Sequence, residues 1–169
     1  MLLEIIIDPT SSIIFQRIEP TKDIMKEKPR NINESILNGK NIFKSILQGV
    51  LIFMVVFINY FILIHNNYDT NLCVTISYSI LVLSIMLITY QLKSNTFTLK
   101  SFILSFKDKV SLVVNIGVIL GLILLIYVPF FNNIAHTTPI DIKWWIYIIL
   151  FVFVSILPFD IFKIINKKK

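Results

Sequence analysis

Four long apolar runs leave few folds open to this chain. They lie at residues 46–64, 72–92, 110–131 and 144–161. Each run has about the length that an α-helix needs to cross the hydrocarbon core of a bilayer. The runs are continuous and do not alternate between apolar and polar residues, which argues against membrane strands. The sequence therefore predicts an all-α membrane protein with about four full transmembrane helices.

The overall composition supports the same class. Hydrophobic residues make up 56% of the 169 residues, and a soluble domain of this size has too much surface to hide them. The net charge is +6, but nearly all of the charges lie outside the apolar runs, as expected of a protein whose partner is the lipid bilayer rather than nucleic acid. Cys73 is the single cysteine, which excludes a disulfide framework and a cysteine-based metal site.

The basic residues between the runs predict the orientation. Four spans place the 16–44 loop, the 93–109 connection and the C-terminal tail on one side of the membrane. Fifteen of the sixteen Lys and Arg residues lie in these three stretches, and Lys143 lies on the opposite side. By the positive-inside rule we expect a multi-pass protein of the cell membrane, with the long first loop and the C-terminus in the cytoplasm.

Several side chains inside or beside the runs have structural interpretations. The aromatic residues near the outer ends of the spans are expected to lie at the membrane interface; they are Tyr127, Trp144 and Trp145. Asp160 and Lys163 are expected at the inner interface. Polar residues within the spans are expected to form hydrogen bonds between helices; they are Asn59, Ser77, Ser79, Ser84, Thr89 and Asn115. The spacing of Gly117 and Gly121 is a weak indication of close helix contact.

The opening stretch, MLLEIIIDPT, combines apolar residues with two acids. Residues 1–15 are too few for a full span and predict a partial helix. Glu4 and Asp8 are four residues apart and would share one face of that helix. Pro9 leaves the carbonyl of Ile5 without a helical partner and disfavours helical geometry at Asp8, so we expect the helix to kink or open there.

Two interpretations of this stretch are compatible with the spacing. Paired carboxylates together with freed backbone carbonyls are the oxygen ligands that a hard cation prefers, and a carboxylate that faces lipid is costly unless such a partner is present. Alternatively, Asp8 and Pro9 form a plain turn, and both acids lie at the water interface.

The order of motifs resembles the C-terminal membrane region of P-type cation-transporting ATPases, in particular bacterial calcium-pump-like members. LLEIIIDPTSSIIF is similar to their sixth transmembrane helix, which often reads L-E-x-x-x-D-P-x-x-S-I-x-F. EPTKDIMKEKPR is similar to the loop that follows, with Lys28 where a second proline is common. YSILVLSIMLITYQLKS and LPFDIFKIINKKK resemble the eighth and tenth helices. The resemblance implies the second half of a broken sixth helix followed by helices seven to ten.

The resemblance also implies a role for the two acids. Glu4 and Asp8 fall where the family's sixth helix supplies ligands to the transported cation, which would be calcium or another divalent metal. Typical calcium pumps carry Asn where this sequence has Glu4 and Thr where it has Ile7. In the segment that resembles the eighth helix, Ile85 falls at the position where two-site pumps carry an acid. At most one cation site, incomplete in this chain, is expected.

The phosphorylation motif D-K-T-G-T does not occur in the sequence. We therefore expect no catalytic residue and no cofactor bound by this chain alone, and the resemblance implies that an N-terminal pump half carries the catalytic domains. Two alternatives to a working pump segment are an independent four-span membrane protein, such as a small channel or regulatory subunit, and a nonfunctional fragment of a disrupted pump gene.

Overall fold

The computed structural model describes residues 2–16, 39–93 and 97–167. These ranges contain seven α-helices and no strand, which confirms the all-α class. The helices are α1 (Leu2–Gln16), α2 (Gly39–His65), α3 (Thr70–Lys93), α4 (Thr98–Ser105), α5 (Lys109–Tyr127), α6 (Pro129–Ala135) and α7 (Ile142–Lys167). Residues 17–38 of the first loop lie outside the described ranges, and residues 39–44 form the first turns of α2.

Four of the helices are long and apolar enough to cross a membrane. They are α2, α3, α5 and α7, with candidate spans at Ile42–His65, Thr70–Leu92, Lys109–Tyr127 and Ile142–Ile161. The predicted third span continued to residue 131, but α5 ends at Tyr127 because Val128 is extended, with φ −89° and ψ 120°. Pro129 disfavours helical geometry in the residue before it and then occupies the first turn of α6. The chain is thus a multi-pass membrane protein.

Helix α3 is the centre of the bundle. It packs against α1, α2, α4, α5 and α7, and its central residues Ile76 and Ile80 are fully buried. The surrounding core is supplied by the neighbouring spans: Leu63, Leu122, Ile126, Ile148, Val152 and Ile156. Lipid is as apolar as these side chains, so close packing and hydrogen bonds hold such a bundle together more than hydrophobic burial does.

Helix α2 is the most peripheral of the four spans. Less than a quarter of its most apolar window is buried, compared with more than half for α3. Phe53, Phe57 and Phe61 follow one another at four-residue spacing and are all exposed, as expected of a side that faces lipid. Of the two glycines expected at a close helix contact, Gly117 does not make one, because it is exposed and a side-chain carbon there would meet no atom within 4 Å.

The aromatic residues that the sequence predicts at the membrane interface also connect the helices. Trp145 donates from Nε1 to the Tyr127 hydroxyl at 3.0 Å, and that hydroxyl donates to the carbonyl of Ile140 at 2.7 Å. Trp144 contacts Tyr68 edge-on, with ring centroids 5.2 Å apart. These rings therefore tie the end of α5 to the beginning of α7.

Candidate cation-binding region

Helix α1 lies along one side of the bundle, against α3 and α5. Its contact face contains Ile14, which is fully buried, and the half-buried Ile7 and Ser11. The Ser11 hydroxyl oxygen lies 3.4 Å from the Thr89 hydroxyl oxygen of α3. The helix is continuous through Asp8 and Pro9, so it neither opens there nor forms a turn. Packing on both sides of the proline outweighs the single backbone hydrogen bond that Pro9 removes.

The two predicted ligands lie on one side of α1, next to its contact face. Asp8 follows Ile7 by a quarter of a helical turn, and Glu4 lies one turn before Asp8 on the same side. The Asp8 side chain is exposed, whereas the Glu4 side chain lies outside the described part of the structure. The bundle therefore holds α1 by one face and leaves the Asp8 side chain exposed beside it.

Within the described ranges, no group of three or more His, Cys, Asp and Glu side chains is placed to hold a metal ion. On the neighbouring helix α3, Thr89 supplies a side-chain oxygen beside α1, and its hydroxyl donates to the backbone carbonyl of Ile85 at 3.0 Å. The side chain of Ile85 has no oxygen and cannot act as a ligand. An exposed carboxylate at membrane depth is costly unless protein, water or a cation meets it. In the part of the chain that the structure describes, Asp8 is therefore not part of a group of side chains that could hold a metal ion.

A second carboxylate, Asp160 of α7, has the opposite surroundings. Its side chain is only 4% exposed, although the sequence placed it at the inner interface. One carboxylate oxygen accepts hydrogen bonds from the Thr98 hydroxyl at 2.6 Å and from the Gln91 amide at 3.0 Å. The other accepts from the Thr98 backbone N–H at 3.2 Å. The cost of burying this carboxylate is reduced because each of its oxygens accepts a hydrogen bond.

Two more residues complete this group, which we call the Asp160 cluster (Gln48, Gln91, Thr98, Asp160 and Lys163). Gln48 of α2 donates from Nε2 to the Gln91 side-chain oxygen at 2.7 Å, and Lys163 donates from Nζ to the backbone carbonyl of Gln91. Lys163 lies just beyond the candidate span of α7. Burial lowers the pKa of its ammonium group, and the negative charge of Asp160 acts in the opposite direction. The cluster joins α2, α3, α4 and α7 at one end of the bundle.

The Asp160 cluster was missed by the sequence analysis. The available signal was the presence of Gln48 and Gln91 inside otherwise apolar runs, because polar side chains in a bilayer are usually paired. Their partners could not be read from the sequence, since Gln91 and Asp160 are 69 residues apart. A lysine already supplies positive charge here, so the cluster is suited to holding helices together rather than to binding a cation.

Most of the predicted hydrogen bonds between spans are confirmed. Asn59 of α2 donates to Ser77 of α3 at 3.0 Å. The Tyr90 hydroxyl of α3 donates to Asn115 of α5 at 2.7 Å. The hydroxyl oxygens of Ser84 and Ser155 lie 3.0 Å apart and connect α3 to α7. Two residues differ. The Ser79 hydroxyl donates to the carbonyl of Thr75 one turn earlier in its own helix. The Thr89 hydroxyl donates to the carbonyl of Ile85 in its own helix, and its contact with another helix is with Ser11 of α1 rather than with a span.

Comparison with known protein families adds an independent finding. The family model described as the C-terminus of cation-transporting ATPases matches residues 1–165. The match includes α1 with both acids, all four candidate spans and the Asp160 cluster. No curated protein sequence matches the chain.

Proposed function

Because the chain belongs to the family of cation-transporting ATPase C-terminal regions, we propose that it forms one wall of the ion site in a P-type pump. Glu4 and Asp8 are the proposed cation ligands, and the four spans brace the helix that carries them. The observation that carries this proposal is the placement of α1, whose contact face is held by α3 and α5 while the Asp8 side chain is exposed.

The geometry of α1 favours a ligand role over a structural one. A carboxylate needed only for folding would be enclosed by donors, as Asp160 is. Asp8 is exposed beside a firmly packed helix face, so a partner helix can approach it without disturbing the bundle. Two carboxylates one turn apart repel each other until a proton or a cation neutralises them, which gives the acidic side an affinity for positive charge.

The proposed cargo is a divalent cation of the calcium type. Carboxylate and carbonyl oxygens suit calcium, magnesium and manganese more than softer metals. The departures from typical calcium pumps at Glu4, Ile7 and Ile85 support a single cation site. The remaining ligands of that site would come from the part of the pump that this chain does not contain.

ATP binding and phosphorylation are proposed to reside in an N-terminal pump half, and the chain is proposed to be inactive without it. The distribution of Lys and Arg supports an orientation with the first loop and the C-terminus in the cytoplasm. That orientation would place the 16–44 loop on the same side as the ATP-hydrolysing domains.

The direct test is cation uptake by the assembled pump. The chain is co-expressed with an N-terminal pump half from the same genome that carries D-K-T-G-T, and ATP-driven uptake of radioactive calcium or manganese is measured in inverted membrane vesicles. Asp8→Asn is expected to reduce uptake to the level of vesicles that lack the chain. The matched control is Asp141→Asn, which alters an exposed acid in the connection before α7 and should leave uptake unchanged.

Two results would overturn the proposal. If Asp8→Asn transports as well as the unaltered pump, Asp8 is not a ligand. If the chain alone conducts cations in vesicles without ATP or a partner, it is an independent channel rather than a pump segment.

A further inference from the structure

Helix α4 has an inverted distribution of polar and apolar side chains. Its hydroxyl-bearing residues Thr98, Ser101 and Ser105 are buried against the bundle, whereas Leu99, Ile103 and Leu104 are exposed, Ile103 by 64%. A helix on a water-facing protein surface shows the reverse pattern. The exposed side of α4 is therefore suited to an apolar medium.

The position of α4 shows which apolar medium that is. The helix lies in the connection between Lys93, where α3 ends, and Lys109, where α5 begins, and both of those helices are candidate spans. A short helix between the ends of two adjacent spans lies close to the plane in which both spans leave the bilayer. Apolar side chains at that level reach the boundary between headgroups and acyl chains.

Helix α4 is held in this position by its buried side. Thr98 is bound to Asp160 through its backbone N–H and its hydroxyl. Asn115 of α5 donates to the Ser105 hydroxyl oxygen at 3.3 Å. The Phe102 ring packs edge-on against Tyr90, with centroids 5.4 Å apart. The outward side chains are thus presented by a fixed helix.

The exposed side also carries positive charge. Lys100 and Lys107 are exposed, and about 100° of rotation per residue places Lys100 between Ile103 and Leu104 on the outward side. Residues 97–107 contain no acid. The next acid along the chain, Asp108, caps α5 by accepting hydrogen bonds from the Ser111 hydroxyl at 2.8 Å and from backbone N–H groups, and Asp160 is enclosed on the buried side of α4.

We propose that α4 lies in the headgroup region of the bilayer and binds anionic phospholipids there. Leu99, Ile103 and Leu104 contact the upper acyl chains, and Lys100 and Lys107 extend to the phosphate groups of the headgroups. This lipid site does not depend on transport, because it requires only the four spans and α4. A chain without any pump activity would still bind the lipid.

The first experiment measures the depth of α4. The full chain carrying Ile103→Cys is labelled with a nitroxide and reconstituted in nanodiscs of phosphatidylcholine and phosphatidylglycerol. The unaltered chain is the labelling blank, because Cys73 is fully buried. The nitroxide at position 103 is expected to collide more often with oxygen than with a water-soluble nickel complex, and a label introduced by Asp141→Cys should show the reverse. A water-like collision pattern at position 103 would overturn the proposal.

The second experiment measures lipid preference. A fluorophore on Ile103→Cys is quenched by brominated phosphatidylglycerol or by brominated phosphatidylcholine, each in mixed vesicles. Preferential quenching by phosphatidylglycerol is expected, and Lys100→Gln with Lys107→Gln should reduce the preference by about fivefold for each lysine. The corresponding Arg variants should keep it, and so should Lys143→Gln, which removes an exposed lysine outside α4.

Two results of the second experiment would contradict an anionic-lipid site. Equal quenching by both lipids in the unaltered chain means that α4 touches the bilayer without selecting a headgroup charge. The absence of quenching by either lipid means that protein or water covers this side of α4.

Discussion

Asp8 and Asp160 are both carboxylates in helices of a membrane protein, but the fold treats them in opposite ways. Asp160 is 4% exposed and accepts hydrogen bonds from Thr98 and Gln91. Asp8 is exposed on a helix whose other side is packed. The Asp160 carboxylate is therefore hydrogen-bonded within the bundle, whereas the Asp8 carboxylate is available to a ligand or partner outside it.

The difference shows how a membrane bundle can tolerate acids for two purposes. A fully hydrogen-bonded carboxylate fixes the relative positions of helices, because moving any one of them would leave a charge without donors. An exposed carboxylate costs little to the bundle itself but is unfavourable in lipid, so it is retained where a ligand or partner meets it. Substitutions at the two acids and at the neighbours of Asp160 test this contrast.

Asp160→Ala should destabilise the chain by about 3–5 kcal/mol, since it removes one member of a buried, charged cluster and leaves Lys163 half-buried without its neighbouring negative charge. The free energy of unfolding is measured in mixed micelles by denaturing-detergent titration, followed by tryptophan fluorescence. Asp141→Asn, at an exposed acid that directly precedes α7, is the control and should change stability by less than about 0.5 kcal/mol, because Asn and Asp are equally good residues at a helix N-cap. Equal effects of the two variants would show that the Asp160 cluster does not hold the helices.

Gln91→Leu should cost about 1–3 kcal/mol in the same assay. The substitution removes the donor to Asp160 at 3.0 Å and the acceptor for Gln48 at 2.7 Å, and it leaves buried polar groups unsatisfied. The double variant with Gln48→Leu should lose less stability than the sum of the losses of the two single variants, because neither side chain of the pair would then have a polar group left without a partner. Strict additivity would contradict the contact between the two glutamines.

Lys163→Met should change how stability depends on pH. Burial lowers the pKa of Lys163 below its ordinary value of 10.5, so between the lowered pKa and 10.5 the unfolded chain binds more protons than the folded one. Stability then rises with pH across that window, and below it the full cost of the buried charge is present. The unaltered chain should therefore gain stability relative to Lys163→Met as pH approaches 10.5, measured by denaturing-detergent titration at several pH values. A constant difference would contradict the burial of this charge.

Asp8→Asn should have the smallest effect on folding, less than about 0.5 kcal/mol, because the side chain is exposed on the described chain. The same substitution is expected to abolish transport by the assembled pump. This combination of unchanged stability and lost transport separates a ligand from a structural residue. A loss of stability as large as that of Asp160→Ala would remove the contrast between the two acids.

The features that could be predicted from the sequence are those set by short stretches of chain. The four spans follow from runs of about 20 apolar residues, since length and hydropathy are enough to decide whether a helix can cross a bilayer. The pairing of Glu4 and Asp8 on one side of a helix follows from their spacing. The end of α5 at Tyr127 could also have been predicted from Pro129, because proline restricts the residue before it.

What only the tertiary structure decided is which polar groups meet. Thr98 and Asp160 are 62 residues apart, and neither spacing nor composition indicates that their helices bring them together. The structure also decided that α1 stays helical through Pro9, since packing against α3 and α5 outweighs one lost hydrogen bond. Membrane crossing is determined locally by the helical rise and the bilayer thickness, whereas enclosure or exposure of an acid depends on neighbours supplied by distant parts of the chain.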